Sequence, residues 1–188
     1  MRSFQAVALT ALIALLAGCG GGGGGNSIPS TNTQGTVTTQ SASGSPHFIS
    51  SATSASIDTT SGDAGDLIAN FKEAGLSNGQ VETVTLSAEA SVTYQCWNDG
   101  GQHPKAGNKT TINSSSSSTG NFTVQNGNIT GSLTLEEPGP GTFSCPSGQT
   151  LYLESISWTN VALADTTSGA TASIPGSFSA TNLHTTSF

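Results

Sequence analysis

The sequence predicts an all-β domain built as an antiparallel β-sandwich, and three observations predict it. Val84, Leu86, Ala88, Ala90, Val92, Tyr94 and Cys96 occupy every even position, with Thr85, Ser87, Glu89, Ser91, Thr93 and Gln95 between them. Such a run with a period of two makes a long strand with one buried face; a helix would spread these side chains around its circumference. Turn signals then recur at short intervals: Asn78-Gly79, Asn126-Gly127, Pro138-Gly139-Pro140-Gly141 and Asp165-Thr166-Thr167-Ser168-Gly169. Between these signals no long helical period develops. A closed barrel is the alternative arrangement of the same strands.

The elements follow in order. Residues 1–18 carry Arg2 and then an apolar run from Ala6 to Ala17. A spanning helix needs about 20 apolar residues, so this shorter run reads as a cleavable signal peptide. Residues 19–62 are dominated by Gly, Ser, Thr, Asn and Gln, with Ile28, Val37, Phe48 and Ile49 scattered without period. That texture predicts a disordered linker, His47 and Phe48 included, with an end-to-end distance of about 35 Å. Residues 63–188 form the domain, large enough for one core and too small for two.

Within the domain, Leu67 to Ala74 fits a strand or a single helical turn. Asn121 to Val124 and Ile129 to Leu135 flank Asn126-Gly127 and read as a hairpin. Thr150 to Trp158 reads as a strand, with Tyr152, Ile156 and Trp158 assigned by parity to the core. Val161 to Leu163 and Ala170 to Ile174 read as a second hairpin, and Phe178 opens a last short strand. The serine run Ser114 to Ser118 reads as an exposed loop or a strand edge.

Charge narrows the function classes. Lys and Arg total 4 against 11 acids, a net −7. An acidic chain without a basic face argues against nucleic acid as a partner.

Leu16-Ala17-Gly18-Cys19, placed directly after the apolar run, resembles the lipobox of bacterial lipoproteins. The resemblance implies that the Cys19 sulfur carries a diacylglyceryl group and that its freed amine is acylated. Two or three chains anchor durably, since each buried methylene contributes about 0.8 kcal/mol. Gly20, where an Asp would favour inner-membrane retention, implies the outer membrane of the cell envelope. The membrane is then a partner through Cys19. In such a protein the Asn-x-Ser/Thr sequons at Asn108, Asn113, Asn121 and Asn128 read as accidents of composition.

With Cys19 lipidated, Cys96 and Cys145 remain, and an exported pair is most simply a disulfide. Trp97 adjoins Cys96 rather than lying on a separate strand. The sandwich is therefore immunoglobulin-like in architecture without being a true immunoglobulin domain. Tyr94-Gln95-Cys96, then Asn98, Gly100-Gly101, Pro104 and a later Cys145-Pro146, resemble a group of small exported bacterial β-domains. That resemblance supports the sandwich and the bridge, and it carries no activity.

The loop from Trp97 to Lys109 is the candidate ligand-binding surface, with Trp97, Asn98, Asp99 and His103 as its recognition residues. Trp97, on the outward parity of its strand, either caps the edge of the core or stacks on a sugar or a partner, and the second role implies a glycan or an envelope protein as partner. Asp99 and His103 are too few for a zinc site, and Asp58, Asp63 and Asp66 do not match a calcium loop. No metal and no cofactor are expected. The three histidines, His47, His103 and His184, sit in no recognisable triad, and no Gly-x-Ser-x-Gly elbow occurs. Glu136 and Glu137, adjacent on a strand, point to opposite faces and form no glycosidase pair. The expected function is that of a non-catalytic module, structural or ligand-binding. A hydrolase or carbohydrate-acting enzyme built on the 97–109 loop is the competing reading.

Overall fold

The computed structural model describes residues 28–40, 46–60, 62–98 and 108–183. Among the described residues there are eleven strands: β1 (Ser30–Gln34), β2 (Thr38–Gln40), β3 (His47–Phe48), β4 (Ser54–Ile57), β5 (Leu67–Ala74), β6 (Val81–Asn98), β7 (Lys109–Thr123), β8 (Asn128–Leu135), β9 (Gln149–Asp165), β10 (Thr171–Ile174) and β11 (Gly176–Thr181). Every strand pair is antiparallel. One helical turn, Ser50–Ala52, is 3-10.

The strands form two packed sheets, the predicted sandwich. The larger is centred on β9, which pairs with β6 along one side and with β11 and β10 along the other. β6 carries β7 at one edge, while β11 and β10 carry β1 and β2 at the other. In the smaller sheet β5 pairs with β8 on one side and with β3 and β4 on the other. The even-numbered residues of β6 from Val84 to Cys96 are all buried, as the alternation requires. Trp158, Tyr94, Phe48, Phe71 and Phe178 are the largest side chains sealed between the sheets.

The expected linker is corrected over much of its length. β1 to β4 lie within residues 19–62 and extend both sheets. Phe48 is 1% exposed and meets Phe71 edge-on, ring centroids 5.9 Å apart. Little apolar surface is needed because these short strands borrow the edges of longer ones. Their polar side chains also satisfy backbone groups across the sheets. Asn32 Oδ1 accepts the Ile57 N–H at 3.1 Å, and Gln34 Oε1 accepts the Ala55 N–H at 2.9 Å. Residues that read as solvated linker thus close one side of the sandwich.

The Asn126-Gly127 turn forms, with φ of 51° and 76°. Its arms do not stay paired, however: β7 joins β6 in one sheet and β8 joins β5 in the other. Phe122 explains the divergence. Its ring packs edge-on against Phe71, centroids 5.1 Å apart, and fills the notch left by Gly131, where a Cβ would lie 2.3 Å from Phe122 Cε1. One bridge, Gln125 to Asn128, is all that remains of the expected hairpin.

β9 is one strand where two were expected, and it carries two irregularities. The register with β6 shifts between Ser87 and Glu89 and again between Thr93 and Tyr94, leaving extra residues on β9 at Asn160 and Glu154. Asn160 adopts φ 54°, a conformation asparagine tolerates well. Each extra residue reverses the parity downstream. Leu151 and Leu153 therefore face inward together with Ile156 and Trp158, while Tyr152 turns to the other face, which corrects its assignment to the core. The hairpin at Asp165 to Gly169 forms as expected, with Ala172 opposite Leu163. The serine run lies on β7, an edge strand with no buried residue. Its hydroxyls leave that edge without an apolar face to recruit another chain.

Candidate functional site

The candidate loop leaves the end of β6 and returns at the start of β7. Cys19, Asp99, His103 and His184 lie outside the described residues, whereas Trp97 and Asn98 and the loop's two bases lie within them.

Those bases are tied together. Cys96 is bonded to Cys145, Cα atoms 5.6 Å apart, so the expected bridge is present. The Cys96 N–H donates to the Asn108 carbonyl at 2.9 Å. Gln149, the first residue of β9, links both ends of the loop: its Nε2 donates to Asn98 Oδ1 at 2.7 Å, and its Oε1 accepts Asn108 Nδ2 at 2.7 Å. Trp97 is half-buried beside this network, opposite Thr150 in the β6–β9 register. A shallow depression of about 480 Å³ opens next to the bridge, lined by Pro140, Phe143, Cys145, Gln149, Thr150 and Leu151. It offers apolar walls and an amide, a mixture suited to a polar ligand with an apolar face.

Sequence reasoning missed Gln149, Asn108 and Phe143. Asn108 was visible only as a sequon, and Gln149 carries no motif at all. Its role follows from the strand pairing that sets it opposite Asn98.

The acids beneath this end are engaged with backbone N–H groups. Asp58 Oδ1 accepts the Thr60 N–H at 2.7 Å, and that bond holds its carboxyl below the usual range. Asp66 is buried and accepts the Glu137 N–H at 3.0 Å. Burial, followed by the neighbouring Asp66, pushes Glu137 up to about 7, and burial raises Asp66 as well. Glu136 is exposed, and its charge acts on both members of the pair, raising them further. Above it the Tyr94 hydroxyl donates to the Pro138 carbonyl at 2.5 Å, and burial raises that phenol's pKa. His47, on β3, belongs to the other sheet from the loop bases. Among the described residues, no three His, Cys, Asp or Glu side chains are grouped to hold a metal ion.

No protein-family model, curated protein or solved structure matches this chain.

Proposed function

We propose that this chain is a lipid-anchored cell-envelope protein, held in the outer membrane through Cys19, whose β-sandwich is a non-catalytic binding module. The observation that carries the binding role is the disulfide-tied end of the sandwich. The Cys96–Cys145 bridge and the Asn98–Gln149–Asn108 network hold the loop bases beside a depression and a half-buried Trp97. A rigid frame under a Gly-rich loop is how scaffolds present recognition residues. A glycan or another envelope protein is the partner of matching chemistry, with Trp97, Asn98, Asp99 and His103 at the contact.

The strand order also sets the end at which the chain enters the module. Ser30 pairs with Ala180, which pairs with Ile156, and the Pro29 carbonyl accepts the Thr181 N–H at 3.0 Å. The chain thus enters β1 from the side of the disulfide end. Eleven Cα–Cα steps from Cys19 to Ser30 reach at most about 40 Å. With an anchor at Cys19, the Trp97 end is free to approach the membrane, within reach of lipid-linked or wall glycans.

Two measurements test this reading. Replacing Cys19 with Ser abolishes palmitate labelling of the protein in a Gram-negative host; retained label removes the anchor. The full chain, screened on a glycan array, binds a subset of glycans, and Trp97→Ala lowers that binding at least tenfold, about 1.4 kcal/mol. Binding that survives Trp97→Ala moves the contact off this end, and failure to bind any glycan removes the sugar as ligand.

A further inference from the structure

At the opposite end of the sandwich, two glutamates occupy positions that the strand pattern reserves for apolar side chains. Glu73 is on the inward face of β5 with Leu67, Ala69 and Phe71, and Glu82 is on the inward face of β6 with Val84. Both are sealed from solvent, and so is Asp165 at the end of β9. Asp165 lies within hydrogen-bonding reach of both glutamates. The cluster therefore joins the small sheet, through Glu73, to the large sheet, through Glu82 and Asp165.

The donors supplied by the protein do not suffice. Asp165 Oδ1 accepts the Thr167 and Ser168 N–H groups at 2.7 and 3.2 Å, and Glu73 Oε1 accepts the Ser168 hydroxyl at 2.7 Å. Among the described residues, no donor reaches Glu73 Oε2, Glu82 Oε2 or Asp165 Oδ2, all of them buried. The charged neighbours acting on Glu73 are Asp165 and Glu82, and on Glu82 it is Asp165, all of them acids. Across the strands, Glu73 faces Phe48 on β3 and Ile129 on β8, while Glu82 faces Phe122 on β7. Lys72 lies on the opposite parity of β5, and His47 is the register partner of Ala74. Buried carboxylates need a counter-charge or a proton. Among the described residues these three oxygens have no cationic neighbour, and the group is not arranged for a metal ion.

We propose that Glu73, Glu82 and Asp165 form a proton-operated clasp between the two sheets, closed by shared protons in mild acid and loosened when those protons leave. In the closed state each glutamic acid donates its O–H to the Asp165 carboxylate, which supplies the missing donors. Burial, with the Asp165 carboxylate beside them, pushes both glutamates up to about 7. The unfolded chain releases these protons near 4.5. Between those values the folded state holds more protons than the unfolded one, so stability falls as pH rises through the window and levels off above it. The Asp165–Ser168 turn and the adjoining end of β5 are the segments released first, since Ser168 bonds to Glu73 and the Ala170 N–H donates to Ser168 Oγ at 3.2 Å.

The test is thermal unfolding of the full chain from pH 5.5 to 8.5, compared with the Glu73→Gln, Glu82→Gln double variant. Glutamine keeps the shape and supplies a donor without a titrating proton. The native chain is expected to lose on the order of 5–10 °C in melting temperature across this range. The Asp66–Glu137 pair adds to that loss in both proteins, so the clasp is read from the difference between the curves. The variant should be the flatter of the two and should melt above the native chain at pH 8.5. Parallel curves, or a native chain that gains stability with pH, overturn the proposal. So does recovery of the pH 8.5 melting temperature by millimolar calcium, which would make the cluster a cation site. Should the double variant not fold, carbon-13 NMR titration of the native Glu73 and Glu82 carboxyls decides: midpoints near 7 support the clasp, and midpoints near 4.5 overturn it.

Discussion

Replacing both Cys96 and Cys145 with Ala is expected to lower the unfolding free energy by about 4 kcal/mol, from the loop-closure entropy returned to the unfolded chain. The bridge closes a loop with a sequence separation of 49. Its local setting makes the loss hard to offset. Between β8 and β9 the backbone makes only sparse turn bonds, such as the Phe143 N–H to the Pro140 carbonyl at 3.2 Å and the Gln149 N–H to the Pro146 carbonyl at 3.2 Å. The disulfide and the Tyr94–Pro138 bond both tie this segment to β6. Cys96 is fully buried on the core face of β6, which favours Ala over Ser as its replacement. Urea unfolding of the double variant measures the cost, and reduced native chain is the control. A loss under about 1 kcal/mol would mean that the segment is held by packing alone and that the unfolded chain gains little from its release. The loop bases should loosen with the bridge, so glycan binding at the Trp97 end should fall in parallel.

The fold was legible in the sequence wherever one local rule decided the outcome. The alternation in β6 survives because both of its neighbours pair along nearly its full length. The turn at Asp165 to Gly169 was legible because its side chain and backbone both hydrogen-bond within the turn. The bridge followed from counting cysteines once Cys19 was set aside. Three features depended on tertiary context instead. The bulges at Glu154 and Asn160 carry no signal of their own, so a parity count along β9 placed Tyr152 on the wrong face. β1 to β4 are too polar to read as strands, because the apolar surface that stabilises them belongs to their partners. The turn at Asn126-Gly127 specified a local reversal of the chain, while Phe122 and Gly131 decided that its arms would part. At the site, Trp97 and Asn98 stood out by type, whereas Gln149 and Asn108 are defined only by the register that brings them together. The buried glutamates were the least legible, since a charged residue in a strand is ordinarily read as facing solvent.

Trp158→Ala is expected to cost about 5 kcal/mol, at the upper end for removal of a core aromatic. The indole is completely buried, on the core face of β9 with Ala90 on one neighbouring strand and Phe178 on the other. It also holds the connection into the small sheet, because Nε1–H donates to the Gly65 carbonyl at 2.8 Å. Gly65 sits at φ 114°, a conformation that strains any residue with a Cβ, and a Cβ there would come 3.1 Å from Leu153 Cδ2, so the leucine would have to give way. Truncation would open a cavity and would also leave a buried carbonyl without its donor. Trp158→Phe separates the two effects. It keeps most of the apolar volume and removes the hydrogen bond, so its expected cost is about 2 kcal/mol, the penalty for an unpaired buried acceptor together with a small void. Chemical denaturation of both variants gives the comparison. A Phe variant as stable as the native chain would show that the indole acts by volume alone. An Ala variant costing no more than the Phe variant would show that the sheets collapse onto the vacated space, and that the tie to Gly65 is the greater part of what this tryptophan contributes.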